Sequence, residues 1–184
     1  MNQKHYKIFD IGFFCVLAFI LSLVSELLFK NFKITFYVDF GILIALIAMM
    51  RWNYLGAISY LVYGIPMILF RGHDVWFSIL FYGVIHLSIG LSVLGFKFYD
   101  KRRVGKSFLL TLIYILSSYI ILILVKSAAL LIVNQNILDN LYTYTASMLL
   151  SFVLVLLAFY FIGYFSDGLI IDMNDYFKET LDET

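Results

Sequence analysis

Hydrophobic positions along the chain fall into six long runs that are apolar on every face and separated by short polar stretches. A hydrocarbon core takes about 20 apolar residues as a helix, and each run is long enough. Strands of a membrane barrel would instead alternate apolar and polar residues. We therefore expect an all-α integral membrane bundle of six transmembrane helices, at residues 8–29, 34–50, 54–70, 75–96, 108–133 and 141–165.

The composition agrees with a polytopic membrane protein. Hydrophobic residues make up 63% of the 184 positions, charged residues 14%, and the mean hydropathy is +0.96. A soluble domain of this size would not carry so few charges and a single proline. No repeat or linker divides the chain, so we expect one transmembrane domain, residues 1–184, with an acidic tail at 166–184. The first run is too long for a removable signal peptide.

Positive charges predict the orientation. With both termini inside, nine lysines and arginines lie on the inner side and three on the outer side. Cytoplasmic loops retain lysine and arginine, so this bias predicts cytoplasmic N- and C-termini. The net charge of +1 gives no reason to expect a nucleic-acid partner.

Four ionisable side chains interrupt the apolar runs: Glu26, Asp39, His86 and Lys126. An ionisable group in hydrocarbon is costly and is a functional-site hypothesis by default. Three of the four fall in the outer half, and His86 lies near mid-membrane, which predicts a polar cavity open to the outside. Lys126 could also snorkel or pair with a carboxylate, and His86 could simply bond a neighbouring helix.

The link between the fifth and sixth runs is rich in amides and hydroxyls. It contains Asn134 and Asn136, and Tyr142 and Tyr144 follow closely. Such groups suit the edges and face of a small heteroaromatic or polyhydroxylated solute. Interfacial tyrosines and asparagine-rich turns are also common in membrane proteins without a ligand, so both interpretations stand.

A stripe of small residues runs along the first helix, at Gly12, Cys15, Ala18 and Ser22. Steps of three or four residues place these side chains on one face. Small stripes let helices approach closely in lipid. The stripe predicts docking on a partner subunit or packing inside the bundle.

Catalytic signatures are missing from the sequence. It contains no zinc-protease, nucleophile-elbow or phosphate-loop motif, and its histidines at positions 5, 73 and 86 are too scattered for a metal site. We expect neither an enzyme nor a resident cofactor or metal. Active transport would draw its energy from a partner or an ion gradient.

The chain resembles the substrate-binding S components of energy-coupling factor (ECF) vitamin importers. The resemblance rests on its length, its six helices and the stretch DFGILIALIAMMRWNYLGAISYLVYG at residues 39–64. That stretch is similar to the family's second and third helices, joined by a tight cytoplasmic turn with a glycine just after it. The small-residue stripe likewise resembles the family's docking face.

The resemblance implies a function and a site. Such a protein captures a water-soluble vitamin or vitamin precursor from outside, in the bacterial cell membrane, and works with a transmembrane coupling subunit and two cytoplasmic ATPase subunits that hydrolyse ATP. The implied substrate-binding residues, together with the buried carboxylate, are Asp39, Trp76, Tyr82, His86, Lys126, Asn134, Asn136, Tyr142 and Tyr144.

Two other classes remain open at this point. An ion-coupled or facilitative carrier would also bury charges, but it usually has an internal repeat or broken helices, and Pro66 is the one candidate breaker. A structural or regulatory membrane protein would keep the stripe without a pocket. The acidic tail could contact a basic partner or remain a solvated amphipathic end.

Overall fold

The computed structural model describes residues 3–32, 38–70, 74–130, 137–166 and 168–182. Within these ranges the chain is helical and forms no strand. Its α-helices are α1 (Gln3–Phe32), α2 (Phe40–Trp52), α3 (Ile58–Phe70), α4 (Val75–Ser78), α5 (Phe108–Leu130), α6 (Ile137–Phe165) and α7 (Met173–Asp182). A 3₁₀ turn, Asn53–Ala57, joins α2 to α3, while α4 continues through a π turn, Ile79–Gly83, into a 3₁₀ helix, Val84–Lys97.

Five helical segments in the described ranges are long and apolar enough to cross a membrane. The predicted helical, multi-pass character is confirmed. The predicted number of spans is not reproduced, because the second and third apolar runs form one helical segment, Phe40–Phe70. The other four are Gln3–Leu28, Val75–Lys97, Phe108–Leu130 and Met148–Phe165.

The Phe40–Phe70 segment folds back on itself as a hairpin. A side chain at Gly41 would collide with the Tyr63 ring, and one at Gly56 would collide with the backbone of Ala48, so α2 and α3 run antiparallel in close contact. Asn53 makes the turn with a φ of 54°, a left-handed conformation that asparagine tolerates. Each helix has 13 residues, about 20 Å at 1.5 Å per residue, which is shorter than a bilayer core.

The hairpin lies in the middle of the bundle and is the most buried of the five segments. Helix α1 packs on α3 and α2, and α5 packs between α6 and the Val84–Lys97 helix. The stripe of small residues on α1 is only partly buried in the bundle. Ala18 and Ser22 are fully buried in the bundle, Cys15 is half-buried and Gly12 is exposed. Only the part of the stripe near the N-terminus is open to a partner.

One end of the bundle gathers the start of α1, the hairpin turn, the loop before α5 and the segment after α6. We call it the basic end. Arg51 on α2 donates to Asp10 at 2.6 Å and to the carbonyl of Gly168 at 2.7 Å, and Trp52 Nε1 donates to the same Asp10 carboxylate at 2.7 Å. Arg51 is one of the nine positive charges predicted for the inner side, and its side chain is buried. Asp39 lies at the opposite end, which we call the far end.

Candidate functional site

Asp39 is buried immediately before α2 at the far end of the hairpin. Its carboxylate accepts a bond from the backbone N–H of Gly41 at 3.0 Å, and so caps the helix. Its other oxygen accepts the Tyr60 hydroxyl at 2.5 Å. Its backbone N–H donates to Ser151 Oγ on α6 at 3.1 Å. The carboxylate thus ties α2 to α3, and its backbone ties both to α6.

Tyr60 joins Asp39 to His86. The His86 ring stacks on the Tyr60 ring with centroids 4.1 Å apart, and His86 Nδ1 lies 3.2 Å from the Tyr60 carbonyl oxygen. This packing depends on Gly64, where a Cβ would overlap the Tyr82 carbonyl oxygen. The absence of a side chain at Gly64 therefore lets the Val75–Lys97 segment press Tyr82 and His86 against α3.

Lys126 reaches the same region from α5. Its ammonium lies 5.8 Å from the centre of the Phe81 ring, within the range of a cation–π contact. Phe81 packs edge-on against Tyr82 at 5.2 Å, and Tyr82 packs edge-on against His86 at 6.4 Å. Phe81 and Tyr82 belong to the π turn, a local geometry frequent at functional sites.

A second layer closes the cluster from α5 and α6. The Tyr119 hydroxyl and Ser151 Oγ are 2.9 Å apart, and that same Ser151 oxygen accepts the backbone N–H of Asp39. Tyr63, which is on α3 like Tyr60, stacks on the Tyr60 ring with the ring centroids 5.9 Å apart. The polar groups therefore have aromatic neighbours on several sides.

The charges in this cluster are opposite in sign. Lys126 and Asp39 attract one another across the cluster, and less than a tenth of either residue is exposed. A pair of charges kept inside a bundle adds little to stability, because desolvation offsets the attraction. A functional reason for keeping them is the default interpretation inside a membrane protein.

The structure brings four of the nine predicted binding residues together: Asp39, Tyr82, His86 and Lys126. Trp76 and Tyr142 stand apart, since they are 80% and 77% exposed. Asn134 and Asn136 lie outside the described residues, and so does the side chain of Tyr144. Glu26, in the C-terminal part of α1, is also buried.

Three cavities lie elsewhere. One of about 350 Å³ is an apolar groove between α5 and α6, one of about 430 Å³ lies between the hairpin turn and the Val84–Lys97 helix, and one of about 410 Å³ lies under α7. None of the three is lined by Asp39, His86 or Lys126. Asp39, His86 and Lys126 are buried in a packed polar cluster, and the predicted cavity open to the outside stays a prediction.

Four residues of the cluster were not predicted from the sequence: Tyr60, Tyr63, Tyr119 and Ser151. A periodic signal could have found most of them. Tyr60, Tyr63 and Gly64 share one face of α3, and Tyr119 lies seven residues before Lys126 and so on its face of α5. A hydroxyl-bearing aromatic aligned with a buried charge is a natural hydrogen-bond partner in an apolar helix.

No group of three metal-binding side chains occurs within the described ranges. No family model, no curated protein and no solved structure matches the chain.

Proposed function

We propose that this chain is a membrane-embedded solute-binding protein that captures a small, ring-containing polar molecule at the far end of the bundle. The observation that carries the proposal is the Asp39–Tyr60–His86 unit with Lys126 beside it. Stacked aromatic rings suit a planar ring, while a carboxylate, an imidazole, a hydroxyl and an ammonium suit its polar edges. A vitamin or vitamin precursor has this chemistry.

The proposal includes a direction. Nine of the 13 lysines and arginines belong to the basic end and its flanking segments, which the positive-inside rule assigns to the cytoplasm. Asp39 lies at the far end, so the solute is taken from outside. We further propose that the chain acts as the S component of an ECF importer in a bacterial cell membrane, with a coupling subunit and two ATPases as partners.

A second candidate is an ion-coupled carrier. The observation that favours it is discontinuity: the hairpin breaks at Asn53, and the Val75–Lys97 segment changes helix type at the π turn. Broken helices beside buried charges are common in secondary transporters. The two candidates differ in their energy source.

The first test is to purify the protein without added ligand and identify co-eluting small molecules by mass spectrometry. We expect a vitamin or vitamin precursor in near-stoichiometric amount. The solute found is then titrated by calorimetry into the ligand-free protein, Asp39→Asn and Tyr60→Phe. Losing a hydrogen bond to a charged group costs about 1.5–3 kcal/mol, so we expect an affinity loss of about 10- to 100-fold.

Tyr54→Phe is the matched control, since Tyr54 is exposed and lies at the basic end; its affinity should equal that of the wild type. Tyr60→Phe leaves the helix cap made by Asp39 in place. Empty protein that binds no vitamin would refute the proposal. Uptake into vesicles that needs an ion gradient and no ATPase would favour the carrier.

A further inference from the structure

The acidic helix α7 packs on the basic end of its own chain. Arg102 donates to Glu179 at 2.8 Å and to Asp175 at 3.3 Å. Just before the helix, Asp172 accepts a bond from Lys101 at 2.6 Å. Positions 172, 175 and 179 are spaced by three and four residues, so they share one face.

An apolar face lies beside the acidic one. Met173 is buried, and the Phe177 ring packs edge-on against Tyr6 of α1 at 5.4 Å. Tyr6 in turn contacts the Trp52 ring at the hairpin turn, with centroids 6.2 Å apart. The receiving surface therefore combines cations with aromatic rings, which is the complement of an acidic amphipathic helix.

The two ends of this contact differ in strength. The Lys101–Asp172 pair is largely buried, with side chains 10% and 12% exposed. The Arg102 pairs are open to solvent, since the side chains of Arg102 and Glu179 are 59% and 61% exposed. Exposed ion pairs contribute little to stability, because water and salt screen the charges. The charged contacts of α7 are therefore strong at Asp172 and weak at Asp175 and Glu179.

Helix α7 also fills its seat incompletely. A cavity of about 410 Å³ remains between the basic loop and the acidic segment, lined by Lys101, Arg102, Lys106, Ile170, Asp172 and Tyr176 among others. An occupant with larger side chains on the same face would make more contacts there.

We propose that the surface formed by Tyr6, Lys101 and Arg102 is a docking site for an acidic amphipathic helix of a partner protein, and that α7 covers this site in the isolated chain. Charge complementarity, the aromatic seat and the unfilled cavity select this occupant. The site lies against the hairpin turn, where Asn53 Oδ1 accepts a bond from Lys101 at 2.7 Å. A bound partner would therefore contact Lys101, which bonds the turn of the hairpin that carries Asp39. The proposal does not depend on the nature of the solute.

The test uses the full-length protein and a labelled synthetic peptide that repeats the acidic spacing of positions 172, 175 and 179, with larger apolar residues on the neighbouring face. Peptide binding is followed by fluorescence anisotropy in detergent. In the double variant Asp175→Lys and Glu179→Lys, α7 is repelled by Arg102. We expect this variant to bind the peptide about tenfold more tightly than the wild type, because the two exposed pairs no longer compete.

Three controls sharpen the result. Asp175→Asn with Glu179→Gln removes the pairs without charge reversal and should show the same direction of change, even where the lysine variant folds poorly. Adding Arg102→Glu to either variant should weaken peptide binding about tenfold. A peptide with lysines in place of the acids should not bind.

Equal affinity for wild type and variants would overturn the proposal. So would binding that ignores Arg102, or no peptide binding by any variant. Trp52 offers a second readout in a Trp76→Phe background, since the chain has only two tryptophans. Peptide binding at the proposed surface should change Trp52 emission, and unchanged emission would place the peptide elsewhere.

Discussion

Asp39 and Arg51 are both buried, at opposite ends of α2, and each is stabilised in a different way. Asp39 accepts hydrogen bonds from a tyrosine and from the backbone, while Arg51 pairs with Asp10. Tyr99 is the contrasting case, because its buried hydroxyl has no hydrogen-bond partner among the described residues. A buried hydroxyl left without a partner costs about 1–3 kcal/mol.

Tyr99 should therefore make stability fall at alkaline pH. Burial raises the pKa of Tyr99 from its ordinary 10.0 to about 12. Between these values the unfolded chain loses the proton while the folded chain keeps it, so the free energy of unfolding decreases as the pH rises through this window. Thermal unfolding in detergent at pH 9 and pH 11 should show a smaller loss for Tyr99→Phe than for the wild type.

At neutral pH, Tyr99→Phe should be as stable as the wild type or more stable, because it removes a hydroxyl without a partner. Equal alkaline losses in both proteins would show that Tyr99 does not titrate as expected.

Among the elements, the hairpin departs furthest from the sequence-based expectation. The apolar runs predicted the residues of α2 and α3 well, but not their length relative to the membrane or their close pairing. Pro66, the candidate breaker in the sequence, lies inside α3. The breaks occur instead at Asn53, where the backbone is left-handed, and at the π turn. Backbone geometry at these points depends on what packs against them, which periodicity does not record.

Gly64→Ala tests whether the close approach of α3 to the Tyr82 backbone positions the site. A Cβ at Gly64 would overlap the Tyr82 carbonyl oxygen, a backbone atom that can move only with its helix. We expect a loss of about 1–3 kcal/mol in the free energy of unfolding, as for other overpacked interiors. Weaker solute binding should accompany it, because Tyr82 and His86 would shift away from Tyr60.

Gly12→Ala is the matched control for that measurement. Gly12 is also on a helix, but a Cβ there meets nothing within 4 Å. We expect an unchanged or slightly higher stability, by up to about 1 kcal/mol, because alanine favours the helix. If both substitutions have the same effect, close packing at Gly64 is not what positions the site.

For the whole molecule, the hairpin decides how the chain ends are arranged. The hairpin begins and ends at the far end and turns at the basic end, so it returns the chain to the side from which it came. The remaining four membrane-length segments are even in number. Both ends of the described chain therefore lie at the basic end of the bundle, where Phe177 of α7 packs on Tyr6 of α1.

Cysteine labelling in cells measures that arrangement. In a Cys15→Ser background, cysteines are introduced at Trp76 and Phe98, which are 80% and 89% exposed and lie at opposite ends of one segment. A membrane-impermeant maleimide should label Trp76→Cys in intact cells and Phe98→Cys only after permeabilisation. The reverse pattern would invert the proposed orientation, and labelling of both in intact cells would contradict the topology.

By itself, the sequence determined that the chain is helical and built for a membrane, and it identified the buried ionisable residues. Those properties follow from the free energy of transferring each segment from water to lipid, which depends on the composition of that segment alone. Only the tertiary structure decided that Asp39 and His86 meet through Tyr60, that α2 and α3 pair as a hairpin, and that α7 covers the basic end. These contacts join residues far apart in the chain, and they depend on where glycines let backbones approach and on which buried charges find partners.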